Sequence, residues 1–203
     1  MIAIIDYGLG NLTSVKNALD FLGIESQITN DIQKIQKADK IILPGVGAFG
    51  YGMENLKKLD LIEVLNKEVI ENKKPFLGIC LGMQLICKKS YEEGVFEGLG
   101  WIDAQVVRFS LEGEKLLVPH VGWNEVRCNL SSPILTGGNK EQTFYFVHSY
   151  YVDIKDKSVV VGWCDYGSSF PAIIQKENIF AVQFHPEKSQ TEGLEILRKF
   201  STL

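Results

Sequence analysis

One cysteine of the chain stands in a glycine-flanked run, Gly78-Ile79-Cys80-Leu81-Gly82, between an apolar stretch and a helical pattern. This G-x-C-x-G arrangement is typical of a nucleophile elbow, a sharp strand-to-helix turn that presents the nucleophile at the carboxyl edge of a sheet. The glycines tolerate a strained backbone, and the free N–H groups and positive dipole at the helix start favour a thiolate. The pattern therefore predicts that Cys80 is a nucleophile, whereas the other cysteines are interpreted as inert core residues.

A cysteine nucleophile needs a histidine for proton transfer, and that histidine needs an acceptor that orients its ring. The chain has three histidines, His120, His148 and His185. Only His185 has an acidic residue within two positions, namely Glu187, and residues two apart in an extended segment point to the same side. We therefore predict that His185 is the general base and acid and that Glu187 orients it. Taken alone, His185 is equally compatible with a surface histidine at a strand end.

The elements that would position these residues alternate between two patterns in the first half of the chain. Strand-like apolar runs cover residues 2–5, 25–29, 41–43 and 75–79, and helical spacing covers 12–22, 49–56, 61–69 and 81–88. Strands that alternate with helices indicate a parallel sheet covered on both faces. We predict one α/β domain over residues 1–203, with three layers and a mostly parallel sheet between helices.

The second half of the chain has a different pattern. Residues 101–175 are mostly strand-like, with turn signals at 112–113, 131–138 and 167–169. We predict that 143–152 and 158–163 are paired strands, that 179–184 is a further apolar strand, and that 190–200 is a final helix. This half therefore predicts an antiparallel β-rich section attached to the parallel sheet.

Composition excludes several classes of function. Hydrophobic residues make up 45% of the 203 residues, which is enough for a core, and the net charge of -4 gives no reason to expect a nucleic-acid partner. No apolar stretch approaches the roughly 20 residues of a membrane span, and the amino terminus does not resemble a signal peptide. The four cysteines have neither zinc-site nor disulfide spacing. We expect a cytoplasmic protein without metal or cofactor.

Three motifs in order resemble those of the class I (triad) glutamine amidotransferases: Pro44-Gly45-Val46-Gly47, then residues 78–84, then His185-Pro186-Glu187. The resemblance spans nearly the whole chain and implies a flavodoxin-like fold. It further implies that Cys80 attacks the side-chain amide of glutamine, forms a thioester and releases ammonia. It assigns oxyanion and glutamine binding to Gly45, Val46, Gly47, Leu81, Gln84, Glu92, Ser149 and Tyr150. Glu92 is equally compatible with a solvated carboxylate beside Glu93.

Four further runs, at residues 6–11, 118–124, 145–150 and 185–189, narrow the resemblance. They are similar to the family of glutaminase subunits of imidazole glycerol phosphate synthase, in histidine biosynthesis. This resemblance implies a separate (β/α)8 barrel cyclase as a one-to-one partner that consumes the ammonia. It implies an interface formed by Asn11, His120, Trp123, Asn124 and Lys188. We accordingly expect Trp123 and Lys188 to be exposed.

Simpler interpretations of these interface residues remain open. Asn11 is compatible with a helix N-cap, Trp123 with a core aromatic, and His120 with a loop histidine that has its hydrogen bonds satisfied. Three other functions also remain open: a related subunit that supplies an amidino-sugar synthase, a catalytically silent binding protein on the same fold, and another cysteine hydrolase such as a peptidase. The complete Cys80, His185 and Glu187 set argues against the second, and Gln84 argues against the third.

Overall fold

The first half of the chain alternates strands and helices, as expected. The computed structural model describes residues 1–110, 116–129, 131–135 and 141–203. The strands of this half are β1 (Ile2–Ile5), β2 (Ser26–Thr29), β3 (Lys40–Gly45) and β4 (Phe76–Cys80). The helices are α1 (Leu12–Phe21), α2 (Ile32–Lys37), α3 (Phe49–Lys58), α4 (Leu61–Leu65), which continues as a π-helical segment over Asn66–Glu71, and α5 (Leu81–Leu85).

The second half is rich in strands. They are β5 (Cys87–Ser90), β6 (Phe96–Glu97), β7 (Ile102–Arg108), β8 (His120–Cys128), β9 (Glu141–His148), β10 (Tyr150–Ile154), β11 (Val160–Tyr166), β12 (Ser168–Lys176) and β13 (Ile179–Val182). The chain ends with α6 (Gln190–Ser201), which confirms the predicted final helix. Among the described residues, no helix is both long and apolar enough to cross a bilayer.

The strands form two sheets. The large sheet has the order β2-β1-β3-β4-β13-β12-β11-β8-β9, and the small sheet has the order β10-β7-β5-β6. The part of the large sheet from β2 to β13 is parallel, and the part from β13 to β9 is antiparallel. In the register of β3 with β4, Gly45 lies opposite Cys80. The parallel sheet thus brings the Pro44–Gly47 motif beside the predicted nucleophile.

Both faces of the parallel part of the large sheet are buried, because side chains along its strands alternate between two cores. In β1, Ala3 and Ile5 belong to one core, and Ile2 and Ile4 belong to the other. Helices α1 and α6 pack in the second core, whereas α2, α3 and α4 pack in the first. This arrangement confirms the predicted three-layer α/β fold with an antiparallel section.

The predicted helix over residues 81–88 is wrong in its second half. Helix α5 ends at Leu85, and residues 87–90 form strand β5. Strand β5 pairs with β7, where Cys87 lies opposite Ile102, and the backbone of Gly98 approaches the Cys87 carbonyl so closely that a Cβ there would lie 2.1 Å from it. Pairing between distant parts of the chain therefore outweighs a local helical pattern.

The predicted pairing of 143–152 with 158–163 is also wrong. The chain leaves the large sheet at Ser149: β9 pairs with β8, whereas β10 pairs with β7 in the small sheet. Strand β11 pairs with β12 and β8 instead. The predicted turn at 167–169 is confirmed by Gly167, with φ +70° between β11 and β12. The turn signals at 112–113 and at 136–138 lie outside the described residues.

Candidate active site

Cys80 occupies a strained turn between β4 and α5. Its φ is +53° and its ψ is -107°, a conformation that residues with a side chain rarely adopt. The flanking glycines allow the close approach of neighbouring backbone. A Cβ on Gly82 would lie 1.8 Å from the carbonyl oxygen of Leu43, and one on Gly78 would lie 2.8 Å from the carbonyl oxygen of Gly82. This geometry agrees with the predicted nucleophile elbow.

The sulfur of Cys80 makes hydrogen bonds with Val147 and Gln183. The thiol donates to the carbonyl oxygen of Val147 over 3.9 Å, and Nε2 of Gln183 donates to the sulfur over 3.7 Å. Gln183 is fully buried and was missed by the sequence reasoning. The signal was its position two residues before His185, since residues two apart in an extended segment share a side.

His185 and Glu187 form the pair that their spacing predicts. Nδ1 of His185 lies 2.8 Å from Oε1 of Glu187, and both side chains are almost completely buried. Because a carboxylate oxygen accepts, Nδ1 carries the proton of this contact. Nε2 has no hydrogen-bond partner among the described residues. The ring is therefore oriented with one nitrogen available for proton transfer.

The charge state of His185 is set by opposing effects. Burial alone would lower its pKa, but hydrogen bonding and charge from Cys80 and Glu187 outweigh it and raise the pKa to about 10. The upward direction rests on the 2.8 Å contact with Glu187. Cys80 raises the pKa further, through hydrogen bonding and through its charge when the thiol is ionised.

A pocket of about 330 Å³ opens beside the sulfur. It is lined by Val46, Gly47, Cys80, Leu81, Gln84, Glu92, Val147, His148, Ser149 and Tyr150. Every residue assigned to oxyanion or glutamine binding lines this pocket except Gly45, which lies under it opposite Cys80. Gly45 has no room for a side chain, since a Cβ there would lie 2.0 Å from Oη of Tyr7.

Two polar side chains of the pocket are already bound to the protein. Nε2 of Gln84 donates to the carbonyl of Tyr150 over 3.0 Å and to Oε1 of Gln183 over 3.1 Å. Both hydrogens of this amide are thereby used, so a ligand would meet Gln84 through its oxygen. Oε2 of Glu92 accepts from the backbone N–H of Phe49 over 2.7 Å, and burial raises the pKa of Glu92. Glu92 is thus half-buried and bound by Phe49, whereas Glu93 is exposed, and the role of Glu92 toward a substrate stays a prediction.

A larger depression, about 1210 Å³, lies between α3 and the segment around Phe96, and it is rich in acidic side chains. It shares Glu92 with the smaller pocket but does not include Cys80. The smaller pocket is the candidate active site because the thiol of Cys80 lines it, and a reactive group identifies such a site better than volume does.

The expected exposure of Trp123 and Lys188 is confirmed. Trp123 is 47% exposed, its ring centroid lies 6.0 Å from that of Tyr145, and Nζ of the exposed Lys188 lies 5.8 Å from the centre of the Tyr145 ring. Asn11 occupies the N-cap position of α1, but its side chain makes no capping hydrogen bond. Their contacts with a partner remain predictions.

His120 is not a loop histidine. It begins β8, is 3% exposed, and lies between the rings of Tyr166 and Phe146, with centroids 3.9 Å and 4.8 Å away. Asn124 contacts its Nε2 at 3.4 Å. Despite its burial, His120 lines a surface depression of about 430 Å³ together with Trp123 and Asn124, and its contact with a partner stays a prediction.

His120 and His148 form a buried pair whose protons are ordered by the surroundings. Nδ1 of His148 lies 2.8 Å from the carbonyl of Tyr150, so it must donate. Its Nε2 then accepts from Nδ1 of His120 over 3.0 Å, which leaves Nε2 of His120 to accept from Asn124. Burial lowers the pKa of His120 to about 4 and that of His148 to about 3, so both rings are neutral.

Known proteins with related folds share this arrangement of elements. The structure is similar to one described as "Crystal structure of glutamine amidotransferase", with a TM-score of 0.77, 19% identity and full coverage of both chains. It is also similar to the glutaminase domain of Trypanosoma brucei CTPS with bound acivicin, with a TM-score of 0.66, 17% identity, and 99% and 93% coverage. At these identities the likeness concerns the fold.

Sequence relatives give the narrower assignment. The family model of glutamine amidotransferase class-I matches residues 3–202. The chain is 50% identical, over the full length of both, to imidazole glycerol phosphate synthase subunit HisH 1 of Campylobacter jejuni. It is 48% identical to subunit HisH 2 of Methanococcus maripaludis over 98% of each chain, and 45% identical to subunit HisH 2 of Pseudomonas aeruginosa over the full length of both. The chain therefore belongs to the class-I glutamine amidotransferase family, among the HisH subunits of imidazole glycerol phosphate synthase.

Proposed function

We propose that this chain is a glutaminase that releases ammonia at Cys80 and passes it to a separate cyclase subunit of imidazole glycerol phosphate synthase. The observation that carries the proposal is that Cys80 lines the 330 Å³ pocket and also interacts with His185, which Glu187 holds. A pocket of this size suits a single amino acid rather than a polypeptide. The names of the relatives support the choice of pathway.

In the proposed reaction, the proton shared by Cys80 and His185 lies on Nε2 of the imidazole when the sulfur attacks the side-chain amide carbon of glutamine, in keeping with the raised pKa of His185. The free N–H of Leu81, at the start of α5, and the N–H groups of residues 45–47 stabilise the negative oxygen. The imidazolium then protonates the amide nitrogen, the C–N bond breaks, ammonia leaves and a thioester remains. His185 next takes a proton from water, the water oxygen attacks the thioester, and the sulfur leaves as glutamate is released.

The resting geometry supports these roles. Glu187 holds Nδ1 of His185, which leaves Nε2 as the nitrogen that exchanges protons with the sulfur. In the thiol form the hydrogen points to the Val147 carbonyl, so a rotation about the Cβ–Sγ bond would have to precede transfer of the proton to His185. Glutamine that contacts the 147–150 segment would favour that rotation by competing for the Val147 carbonyl.

We further propose a one-to-one complex with a (β/α)8 barrel cyclase. The exposed Trp123 and Lys188, together with Asn11 and Asn124, are proposed to contact the cyclase, with His120 buried beneath them. In this proposal the chain acts in the cytoplasm as one domain over residues 1–203, and it needs no cofactor of its own.

The test separates ammonia production from ammonia use. The Cys80→Ser variant should lose glutamine hydrolysis, but its complex with the cyclase should still make product from added ammonium salt. The matched control is Cys87→Ser, because Cys87 is also buried but lies outside the pocket; it should retain both activities. An electrophilic glutamine analogue should label Cys80 and no other cysteine.

Three outcomes would contradict the proposal. Retained hydrolysis in Cys80→Ser would remove the nucleophile assignment. Labelling of Cys87 or Cys164 would do the same. If glutamine-dependent cyclisation were absent with the native partner while Cys80-dependent hydrolysis persisted, the acceptor would be another one, for which the amidino-sugar route is the alternative.

A further inference from the structure

A buried glutamine that the reaction scheme does not use lies directly against the nucleophile. Gln183 follows β13, has no exposed surface, and donates its backbone N–H to the carbonyl of Ala172 over 2.9 Å. Its side-chain Nε2 lies 3.7 Å from the sulfur of Cys80, and its Oε1 accepts from Nε2 of Gln84 over 3.1 Å. One side chain thus connects the nucleophile with a residue of the pocket wall.

The orientation of the Gln183 amide follows from its neighbours. The carbonyl of Tyr150 can only accept, so Gln84 must turn its Nε2 toward Tyr150. The second hydrogen of the same nitrogen points to Gln183, whose side-chain oxygen must therefore accept it. The NH2 group of Gln183 is thereby directed at Cys80. A flipped amide would set two donors against each other and an oxygen against the sulfur.

This direction matters when the sulfur ionises. A thiol is a weak acceptor, whereas a thiolate is a full negative charge in a site with little water. A buried N–H donor therefore binds the thiolate more strongly than the thiol, because hydrogen bonds to charged groups are about twice as strong as neutral ones. The same donor also stabilises the sulfur when it leaves the thioester as a thiolate.

We propose that Gln183 is a further catalytic residue, which donates to the Cys80 thiolate and holds Gln84 in the orientation that meets the substrate. This inference deepens the proposed glutaminase function and rests on it. It assigns to one side chain two effects that are separable by measurement. One effect is on the reactivity of the free sulfur, and the other is on the affinity for glutamine.

The first test measures alkylation of the free enzyme, which requires no glutamine turnover. The rate of Cys80 alkylation by iodoacetamide is recorded from pH 5 to pH 10 in the wild type, Gln183→Leu and Gln183→Glu. Loss of the donor in Gln183→Leu should slow alkylation at pH 7 about tenfold and move the profile to higher pH, with the same plateau rate. A carboxylate in Gln183→Glu should slow it further, because like charges repel.

The matched control is Gln175→Leu. Gln175 lies on β12 opposite Phe180, close in the chain to the same strand pair but outside the pocket lining. Its alkylation profile should superimpose on that of the wild type. In the assay of glutamine hydrolysis, Gln183→Leu should lower kcat and also raise KM, because Gln84 loses an acceptor.

A second measurement uses the unsubstituted side chain and so does not depend on how well the variants fold. The side-chain amide protons of Gln183 are followed by NMR across the same pH range. Their resonance should move with the midpoint of the alkylation profile in the wild type and should not move in Cys80→Ala.

The outcomes distinguish this inference from the proposed function. The role of Gln183 is refuted if the wild type and Gln183→Leu give superimposable alkylation profiles. It is also refuted if the Gln183 resonance does not shift when Cys80 ionises. In either case the glutaminase proposal stands. If Cys80→Ser still hydrolyses glutamine, the proposed function itself fails.

Discussion

The buried histidine pair should make the protein sensitive to mild acid. His120 and His148 are neutral, and their contact over 3.0 Å requires one bare nitrogen. Protonation of His148 would put a proton on that nitrogen and set two N–H groups against each other. At pH 5 the folded rings are still neutral, so mild acid acts by favouring the unfolded state, in which both rings can be protonated, over the contact that connects β8 with β9 and the pocket segment 147–150.

The size of the effect follows from the two pKa values. In the unfolded chain each histidine titrates near its ordinary value of 6.5, and folding lowers this to about 4 for His120 and about 3 for His148. The unfolded state therefore binds more protons, and stability falls as the pH drops below about 6.5. At pH 5 the loss is about 2 kcal/mol for each histidine, or about 4 kcal/mol together.

His185 behaves in the opposite way and does not disturb this window. Its pKa is raised in the folded state, so the stability that it contributes is complete below about 6.5 and is lost only as the pH rises toward about 10. Burial raises the pKa of Glu92. Protonation of this carboxyl in the folded state therefore slightly offsets the loss of stability as the pH falls.

Urea unfolding at pH 7.0, 6.0 and 5.0 tests this reasoning. The free energy of unfolding of the wild type should fall by several kcal/mol across the series, and His120→Asn should show roughly half the slope because one buried titrating group is absent. His185→Gln is the control and should lose at least as much stability as the wild type, because His185 opposes the loss as the pH falls from 7 to 5. A wild-type protein as stable at pH 5 as at pH 7 would refute the assignment of neutral, buried rings.

Three further changes have defined outcomes. Gly82→Ala should lower the free energy of unfolding by about 3 kcal/mol in urea titrations, since its Cβ would lie 1.8 Å from the Leu43 carbonyl oxygen; an unchanged midpoint would contradict the elbow geometry. Lys74→Met should cost about 3 kcal/mol, because it leaves the Glu68 carboxylate, now 2.9 Å from Nζ and nearly inaccessible, without its partner; in the same titrations, adding Glu68→Leu should recover most of that loss. Glu187→Gln should lower kcat for glutamine hydrolysis at least about a hundredfold with little change in KM; a loss confined to KM would argue against its orienting role.

The parts of the fold that depend on local pattern could be predicted from the sequence. The apolar run Ile2–Ile5 is a fully buried strand, and the strand-to-helix turn at Cys80 is found as expected. The spacing of His185 and Glu187 sufficed to predict their contact, because only backbone extension is needed to bring two such residues together.

The parts that depend on distant contacts could not be predicted. Helix α5 ends at Leu85 because β5 pairs with β7. The local sequence of residues 86–88 does not indicate that β7 is the pairing strand. The burial of His120 arises from rings that are brought to it by strands β9 and β11. The Gln84–Gln183 contact joins residues 99 positions apart, and amides carry no sequence signal for such pairing.

The crossing of the chain at Ser149 has a mechanical consequence. The segment that walls the pocket belongs to the large sheet at His148 and to the small sheet at Tyr150, so the shape of the pocket depends on how the two sheets pack against each other. A small molecule that fills the pocket would contact a segment held by both sheets. A protein that displaced β8 and β9 would change the shape of the pocket from a distance. A ligand in the pocket and a protein bound to β8 and β9 would then act on the same connection between the two sheets.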